Sequence, residues 1–557
     1  MANGGGTAAR IGVLLVHGVG EHRRHQHLDA EVRAMVTALR ARIGDHDAGQ
    51  QRVRVRADSG PDGEFLAENE IWRGGRRPTV SVDLYDDDLA RPRLTHTIGF
   101  HEVWWADLDE APERHGFFAT LRWYLQFWYW GLSQWAAQHY PARVSSLAGA
   151  TRIGQPGNAA RGRPPKPTLR DRAYLFAVAC FFLLLGVTWE ALRFLARRVN
   201  LAGPSSSILV RYVGDVKLYQ ARRYDASPSV DGMVERPRVA IRKRMVRALA
   251  AMALADYDRW YVAAHSLGTV VAHNGLNELA ETLPNYLDEE TLNECQARGI
   301  ATVDPSADTA RRMMPLRPAW AGDGVVIDRD RLFEKLRGFL TYGSPLDKFA
   351  TLWPAIVPIN AHPPTPAGGG FEWINVHDPM DAVAGSLDFF AGPAPPVNLP
   401  YAASWWFLLA HISYLNPKPD GLGERLMDWV IGGEPFDRSP RPGLWLDAGE
   451  ARARKGHHVA WWVFLLAFLA TAAAWAFPLL FEGLGAAVGS CGSDACADGG
   501  GWGQALADLW AWFPGTLPGL HWRLLGTAAG TVAVVGLLGL VRILRRPPRP
   551  DPGSKKT

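Results

Sequence analysis

The sequence predicts an α/β fold built on a mostly parallel sheet. Short runs of β-branched and large apolar residues alternate along the chain with stretches of helical periodicity, which is typical of parallel strands covered by helices on both faces. The predicted strands are residues 11–16, 53–56, 80–85, 103–105, 261–264, 339–342 and 373–376. With 557 residues, 47% of them hydrophobic, the chain can form a large core and is too apolar to be disordered.

The first of these strands sets the pattern for the others. Residues 11–16 are apolar throughout and are followed directly by His17, Gly18, Val19 and Gly20, as when a buried parallel strand ends in a glycine-rich turn. Helical spacing then resumes over about 28–39. Stretches rich in Pro and Gly at 150–167, 361–370 and 391–400 are predicted to be linkers or long loops.

Composition excludes two classes of protein. The 60 Lys and Arg residues nearly balance the 56 Asp and Glu residues, so that a net charge of +4 gives no reason to expect a nucleic-acid partner. Four cysteines in the whole chain are too few for a disulfide scaffold.

Two apolar segments near the C-terminus predict a transmembrane hairpin. Residues 459–481 are 23 consecutive uncharged residues and residues 524–541 are 18 more, and about 20 suffice to cross a bilayer. The connector 482–522 has no Lys or Arg, whereas basic residues flank the pair on both sides, so the connector is expected outside and the flanks in the cytosol. Cys491 and Cys496 lie in this connector, either bridged or as free thiols.

A further apolar region interrupts the predicted α/β domain. Residues 117–137 contain nine aromatic residues in 21 positions beside a narrow polar stripe, and residues 173–189 are 17 uncharged residues. The first segment is expected to be an amphipathic helix at the membrane surface, with a core helix of a soluble domain as the alternative. Two crossings of the bilayer, or none with both segments in the interface, remain open. We favour the interface because the residues between the segments are basic.

These segments divide the chain into four predicted parts. Residues 1–112 and 205–450 form the two parts of the α/β domain, and 113–204 is a membrane-associated helical insertion. Residues 451–557 hold the transmembrane hairpin and a basic tail. We expect an integral protein of the bacterial inner membrane type with its α/β domain in the cytoplasm. The oligomeric state is left open.

Ser266 is the strongest candidate for a catalytic residue. It follows the predicted strand 261–264 and precedes helical residues 269–276, so it lies on a strand-turn-helix elbow. A nucleophilic serine must project from such a turn, and small residues two positions on either side allow the strand and helix to approach closely. Ala264 and Gly268 occupy those positions.

A serine becomes reactive only beside a base that is itself oriented by an acid. The strand at 373–376 leads into a loop with Asp378 and Asp381, and His411 follows in the run Ala-His-Ile-Ser-Tyr. With these motifs in this order, the chain resembles the α/β-hydrolase superfamily and is most similar to its lipase-like serine hydrolases. The resemblance covers parts of residues 10–60, 78–108 and 205–415 and none of the membrane segments.

The resemblance implies a role for each of these residues. Ser266 corresponds to the nucleophile, His411 to the general base and Asp381 to the carboxylate that orients the base. Asp378 is the alternative acid. We favour Asp381, because its Asp-Ala-Val context matches the family better and Asp378, before a proline, fits a turn former.

An oxyanion hole requires two fixed backbone donors. Leu267, which follows the nucleophile, is expected to supply one N–H, and the resemblance implies that Val19 supplies the other. His17 and Gly18 are expected to support that loop rather than take part in catalysis.

No metal or other cofactor is expected. His22, His25 and His27 lie close together in the sequence, but no carboxylate or cysteine at ligand spacing joins them, so we interpret them as the solvated start of a helix.

The expected function is a membrane-anchored serine hydrolase that cleaves acyl esters, either lipids or other amphipathic molecules, with the lipid bilayer as its partner. A thioesterase, acyltransferase or peptidase with the same triad is an alternative. A catalytically inactive hydrolase fold that serves as a membrane scaffold is another.

Overall fold

The structure is a computed structural model that describes the central sheet, its covering helices and many of the loops between them. The described residues are 8–18, 26–43, 52–57, 80–86, 93–105, 219, 227–228, 234–235, 237–307, 315–352, 356–357, 363–364, 369–381, 383–388, 390, 394–405 and 407–456. Two compact units are distinguished, one of residues 1–166 and 196–451 and the other of residues 167–195 and 452–557. The sheet and the candidate site belong to the first unit.

All four predicted membrane segments lie outside the described residues, as do Cys491 and Cys496. Within the part of the chain that the structure describes, no helix has both the length and the apolar character needed to cross a membrane.

Twelve strands are described, eight of them in one sheet. In chain order they are β1 Ala9–Val16, β2 Val53–Ala57, β3 Val80–Tyr85, β4 Leu94–Val103, β5 Ser227–Pro228, β6 Val234–Glu235, β7 Arg259–His265, β8 Ala301–Val303, β9 Val325–Ile327, β10 Leu336–Tyr342, β11 Glu372–His377 and β12 Val397–Pro400. The large sheet has the order β12-β11-β10-β7-β1-β4-β3-β2, while β5 pairs with β6 and β8 with β9. Every pairing from β12 to β4 is parallel, and β3 is antiparallel to both its neighbours. The prediction of a mostly parallel sheet is confirmed.

Helices cover both faces of this sheet. They are α1 Gln26–Ile43, α2 Pro237–Leu254, α3 Leu267–Leu276, α4 Glu289–Ala297, α5 Arg329–Leu332, α6 Leu346–Leu352, α7 Phe407–Ala410 and α8 Leu422–Gly432. Successive side chains of a strand point to opposite faces. Accordingly Ile11, Val13 and Leu15 of β1 enter a core shared with α1 and α8. Leu14 and Val16 enter a second core shared with α2 and α3.

Two strands of the large sheet differ from the sequence prediction, and the four short strands β5, β6, β8 and β9 outside it were not predicted. The strand predicted at 103–105 is wrong in its bounds, because β4 begins at Leu94 and ends at Val103. The first half of β4 is only partly buried and carries polar residues, so it lacks the apolar run that marks a central strand. The stretch 391–400, predicted as a linker or long loop, ends in β12. This strand lies at the sheet edge, where its terminal Pro400 is tolerated.

The parallel strands bring the candidate residues together at the carboxyl ends of the strands. His17 and Gly18 follow β1, Ser266 follows β7 and the loop with Asp381 follows β11. The carboxyl ends of parallel strands lie on the same side of the sheet, and open α/β sheets form their sites just beyond these ends.

Candidate functional site

Ser266 lies at a sharp turn between β7 and α3. Its backbone has φ 51° and ψ −130°, a conformation that residues other than glycine rarely adopt and that costs about 1–3 kcal/mol. Serine at the N-cap of a helix usually accepts a hydrogen bond from an amide of the first turn, but the Ser266 side chain makes no such bond. Its Oγ is instead directed to His411.

Two glycines allow the chain to close around this turn. A Cβ on Gly268 would lie 2.3 Å from the carbonyl oxygen of Val16, so only glycine lets the start of α3 pass the end of β1. A Cβ on Gly18 would lie 2.5 Å from the Cβ of Ser266, so the loop after β1 runs directly past the serine. Ala264, two residues before the serine, is completely buried. The small residues expected around the elbow therefore lie at its closest contacts.

His411 contacts both Ser266 and Asp381. Its Nε2 lies 2.8 Å from Ser266 Oγ, and its Nδ1 lies 2.9 Å from Asp381 Oδ2. An ionised carboxylate only accepts hydrogen bonds, so Nδ1 carries the proton and Nε2 accepts from the serine hydroxyl. The imidazole retains 13% of its accessible surface and can be reached from solvent, whereas the Asp381 side chain is completely buried. These two hydrogen bonds join three residues that are distant in the sequence.

Several donors hold the buried Asp381 carboxylate. The Val383 N–H donates to Oδ1 at 2.8 Å, and the Tyr414 hydroxyl donates to Oδ2 at 2.9 Å. Burial alone would raise the pKa of Asp381, but the charge and hydrogen bond of His411, together with these two donors, lower it below its ordinary value of 3.8. The carboxylate is therefore ionised at neutral pH.

Asp378 has a different set of contacts. Its Oδ1 accepts from the Met380 N–H at 2.8 Å, which forms a tight turn, and its Oδ2 accepts from the Ala403 N–H at 2.9 Å. Asp378 thus ties the loop after β11 to the loop after β12, while Asp381 is the carboxylate that contacts the His411 ring. The geometry favours Asp381 as the acid, and its catalytic role remains a prediction.

Tyr414 is a site residue to which sequence reasoning gave no function. Its buried hydroxyl accepts the Asp378 N–H at 2.8 Å and donates to Asp381 Oδ2, so it links the two aspartates. The only sequence signal was its place as the aromatic residue of the run that begins at His411. The sequence did not predict this contact, because Tyr414 is far from both aspartates along the chain.

The two predicted oxyanion donors differ in what the structure says of them. Leu267 is the first residue of α3, where backbone N–H groups have no acceptor within the helix. Val19 lies outside the described residues.

His17, predicted to support the loop, is completely buried and stacks on Trp105 with ring centroids 4.9 Å apart. The Trp105 N–H donates to its Nε2 at 3.1 Å, so its Nδ1 carries the proton and donates to the Gly18 carbonyl at 2.8 Å.

The interpretation of His27 as part of a solvated helix start is wrong. His27 is 10% exposed in its side chain and forms an ion pair of 3.0 Å with Glu31 one turn along α1. Burial lowers the pKa of His27, but the charge and hydrogen bond of Glu31 together with the charge of Glu102 outweigh burial, and the net pKa is above its ordinary value. His22 and His25 lie outside the described residues, and those that are described contain no cluster of His, Cys, Asp or Glu suited to hold a metal ion.

Comparisons of the chain with models of protein families, with curated proteins and with solved structures found no match.

Proposed function

We propose that this protein is a membrane-anchored serine hydrolase of the α/β-hydrolase superfamily that cleaves acyl esters. The observation that carries the proposal is the hydrogen-bonded chain from Ser266 through His411 to Asp381, with the serine on a strained elbow at the carboxyl edge of a parallel sheet. An ordinary turn would connect the strand and the helix without backbone strain. A strained serine that is hydrogen-bonded to a histidine, itself hydrogen-bonded to a carboxylate, suits an activated nucleophile.

The geometry accommodates a two-step acyl transfer. Ser266 Oγ attacks the ester carbonyl while His411 Nε2 takes its proton, and Asp381 stabilises the imidazolium that forms. The imidazolium then gives its proton to the leaving alcohol, and an acyl-serine remains. Water attacks the acyl-serine with His411 again acting as base, which releases the carboxylic acid and restores the serine hydroxyl.

The negative charge of the tetrahedral intermediate needs donors beside Ser266. The Leu267 N–H begins α3, a helix of ten residues, so both this donor and the positive end of the helix dipole lie next to the serine. Val19 is proposed as the second donor on the strength of the family resemblance, and Gly18 brings its loop against Ser266.

Apolar residues around His411 support an amphipathic substrate. Trp405 is 82% exposed, Ile412 69% and Leu409 39%, and all three lie within six residues of the base. Exposed large apolar side chains in one short segment suit contact with acyl chains or with a lipid surface. The membrane anchor itself is proposed from the apolar segments 459–481 and 524–541 and from the basic residues that flank them.

Labelling with a fluorophosphonate probe tests the proposal. The full chain in membranes is exposed to the probe as wild type, as Ser266→Ala and as Ser306→Ala, the last a matched loss of an exposed serine on the turn after β8. We expect labelling of the wild type and of Ser306→Ala, and none of Ser266→Ala. A folded wild type that the probe does not label overturns the proposal and favours the scaffold. A panel of esters, thioesters and peptides then identifies the bond that is cleaved.

A further inference from the structure

His265 lies immediately before the proposed nucleophile and has no part in the steps described above. Its ring is half-buried and lies next to four other rings, those of His27, Tyr342, His411 and Tyr414. The closest is His411, whose ring centroid lies 4.9 Å away. A polar ring packed among other rings in this way is expected to have a hydrogen-bond partner.

That partner is the backbone of His411. His265 Nε2 lies 2.8 Å from the His411 carbonyl oxygen. A carbonyl only accepts hydrogen bonds, so Nε2 of His265 carries the proton and donates it. Burial lowers the pKa of His265 well below its ordinary value, and the nearby charges of His411 and His27 lower it further, so the ring is neutral. A neutral ring at this position does not oppose the imidazolium that forms on His411.

Tyr342 and Gly343 also restrict the orientation of the His265 ring. Tyr342 stacks on it with centroids 5.0 Å apart and planes 20° apart, and the Tyr342 hydroxyl is held by Glu31. Gly343 has φ +60°, and a Cβ there would lie 3.1 Å from Nε2 of His265. The ring therefore has little room to change its orientation, and its hydrogen bond has a fixed direction.

The hydrogen bond joins two parts of the chain that belong to different elements. His411 follows α7, a helix of only four residues, on a loop that belongs to no strand. His265 is the last residue of β7, a central strand, and is bonded covalently to Ser266. The His265 side chain thus ties the base to the strand that carries the nucleophile.

We propose that His265 is a positioning residue, which holds the backbone of His411 so that the imidazole stays within hydrogen-bond distance of Ser266. This inference rests on the proposed function. It adds a fourth residue to the machinery, one that acts through His411 and does not touch the substrate. A displacement of the base by about 1 Å can lower the rate of such reactions by about 100-fold, so loss of this bond is expected to be visible in the rate.

Two amide substitutions distinguish the effect of the hydrogen bond to the His411 carbonyl from the effect of a side chain that merely fills the position of His265. The side-chain nitrogen of glutamine can reach the place of Nε2, whereas that of asparagine is one bond shorter and cannot. The rate of fluorophosphonate labelling is measured for the full chain as wild type, His265→Gln and His265→Asn, with melting temperatures for all three. We expect His265→Gln to keep at least about a third of the wild-type rate and His265→Asn to lose at least about ten-fold. With p-nitrophenyl butyrate, the loss is expected in kcat and not in KM.

Each outcome decides the proposal. Equal rates for folded His265→Asn and wild type overturn it, as does a loss of more than about ten-fold in folded His265→Gln. If only His265→Asn fails to fold, retention of the rate by His265→Gln supports the proposal. Failure of both variants to fold assigns the residue to folding and overturns it. If the wild type itself is not labelled, the proposed function fails. If the wild type is labelled and both variants are labelled at the same rate, only the role proposed for His265 fails.

Discussion

At the scale of the residue, the candidate site depends on a carboxylate that stays charged although it is buried. Desolvation would protonate an isolated Asp381, but His411, Val383 and Tyr414 each interact with the charged form and lower its pKa. A charged acceptor fixes the proton of His411 on Nδ1 and leaves Nε2 to accept from Ser266. The burial of Asp381 and the proposed reactivity of Ser266 are therefore two consequences of one hydrogen-bond network.

The two aspartates are expected to differ in what their loss affects. Asp381→Asn leaves the size of the side chain unchanged but removes the charge that orients His411, so kcat should fall by about 10⁴-fold. Asp378→Asn should change kcat much less and should instead lower the melting temperature, because Asp378 holds the Met380 and Ala403 amides. Steady-state rates and thermal melts of both variants check this. A greater loss of kcat in Asp378→Asn would show that the acid is misassigned.

Tyr414→Phe removes the hydroxyl that links both aspartates. The Asp378 N–H then loses its acceptor in a buried place, which should lower the free energy of unfolding by about 1–3 kcal/mol. The rate of fluorophosphonate labelling should also fall, although less than in Asp381→Asn, because the contact between Asp381 and His411 remains. Tyr401→Phe is the matched control, since within the described part of the chain its hydroxyl accepts a single long bond, of 3.5 Å, from the Leu422 N–H. Equal behaviour of the two variants would contradict the role given to Tyr414.

At the scale of the element, the site depends on how closely α3 passes the end of β1. Strand β7 pairs with β1 on one side and β10 on the other, so the elbow at Ser266 lies at the centre of the sheet. The Thr269 N–H and hydroxyl both donate to the Ser266 carbonyl, at 3.0 and 2.7 Å, which keeps the first turn of α3 against the serine. A change that pushes α3 away from β1 therefore moves the proposed nucleophile as well.

Gly268→Ala tests this close approach. The added Cβ would collide with the backbone of Val16 and His17, which cannot turn aside as a side chain can, so the free energy of unfolding should fall by about 3 kcal/mol or more. Labelling of the serine should be lost as well. Gly432→Ala in α8 is the control, because its Cβ meets nothing within 4 Å and helical alanine is favoured over glycine by up to about 1 kcal/mol. Urea unfolding of both variants gives the comparison, and a neutral Gly268→Ala would refute the steric argument.

At the scale of the whole molecule, the sheet separates two apolar cores, and some polar side chains of its strands are buried as well. His101 of β4 is buried, and its Nε2 lies 2.6 Å from the hydroxyl of Tyr257, on the turn before β7. Burial lowers the pKa of His101 from 6.5 to about 4 and raises that of Tyr257. Folding therefore requires His101 to be neutral.

This requirement predicts a dependence of stability on pH. Between pH 6.5 and about 4 the unfolded chain binds a proton at His101 that the folded chain does not bind. The contribution is complete above pH 6.5 and is lost as the pH falls, at about 1.4 kcal/mol per pH unit. The stability advantage of the wild type over His101→Gln should therefore shrink by about 2 kcal/mol from pH 7.5 to pH 5.0. Urea titrations of both proteins measure it, and the other histidines cancel in the difference. A constant difference would contradict the prediction.

The membrane topology proposed from the sequence is tested on intact cells. After mild reduction, a membrane-impermeant thiol reagent should label Cys491 or Cys496 in the connector that lacks Lys and Arg. Cys295 should stay unlabelled, since it is buried in the α/β unit that we propose to be cytoplasmic. Replacement of both connector cysteines by serine should abolish labelling. Labelling of Cys295 after the cells are permeabilised and the protein is unfolded provides the positive control, and labelling of Cys295 alone in intact cells would invert the topology.

Much of the sheet could be predicted from local pattern alone. Buried parallel strands read as continuous apolar runs, so β1, β7, β10 and β11 were recognisable in the sequence. The strands of the large sheet that were missed or misplaced are β4, whose first half is polar, and β12, which ends in a proline at the sheet edge. In both, pairing with a neighbouring strand decides the structure, and pairing leaves no mark in local composition.

The candidate site divides in the same way. The sequence by itself determined that Ser266 lies on an elbow and that an acid and a histidine follow it in order, because these features depend on neighbours along the chain. Only the tertiary structure decided that Asp381 rather than Asp378 contacts His411, that His27 is half-buried beside Glu31, and that His265 and Tyr414 contact the site. Each of these depends on hydrogen bonds between residues far apart in the chain, whose direction is set only when the strands and loops have come together.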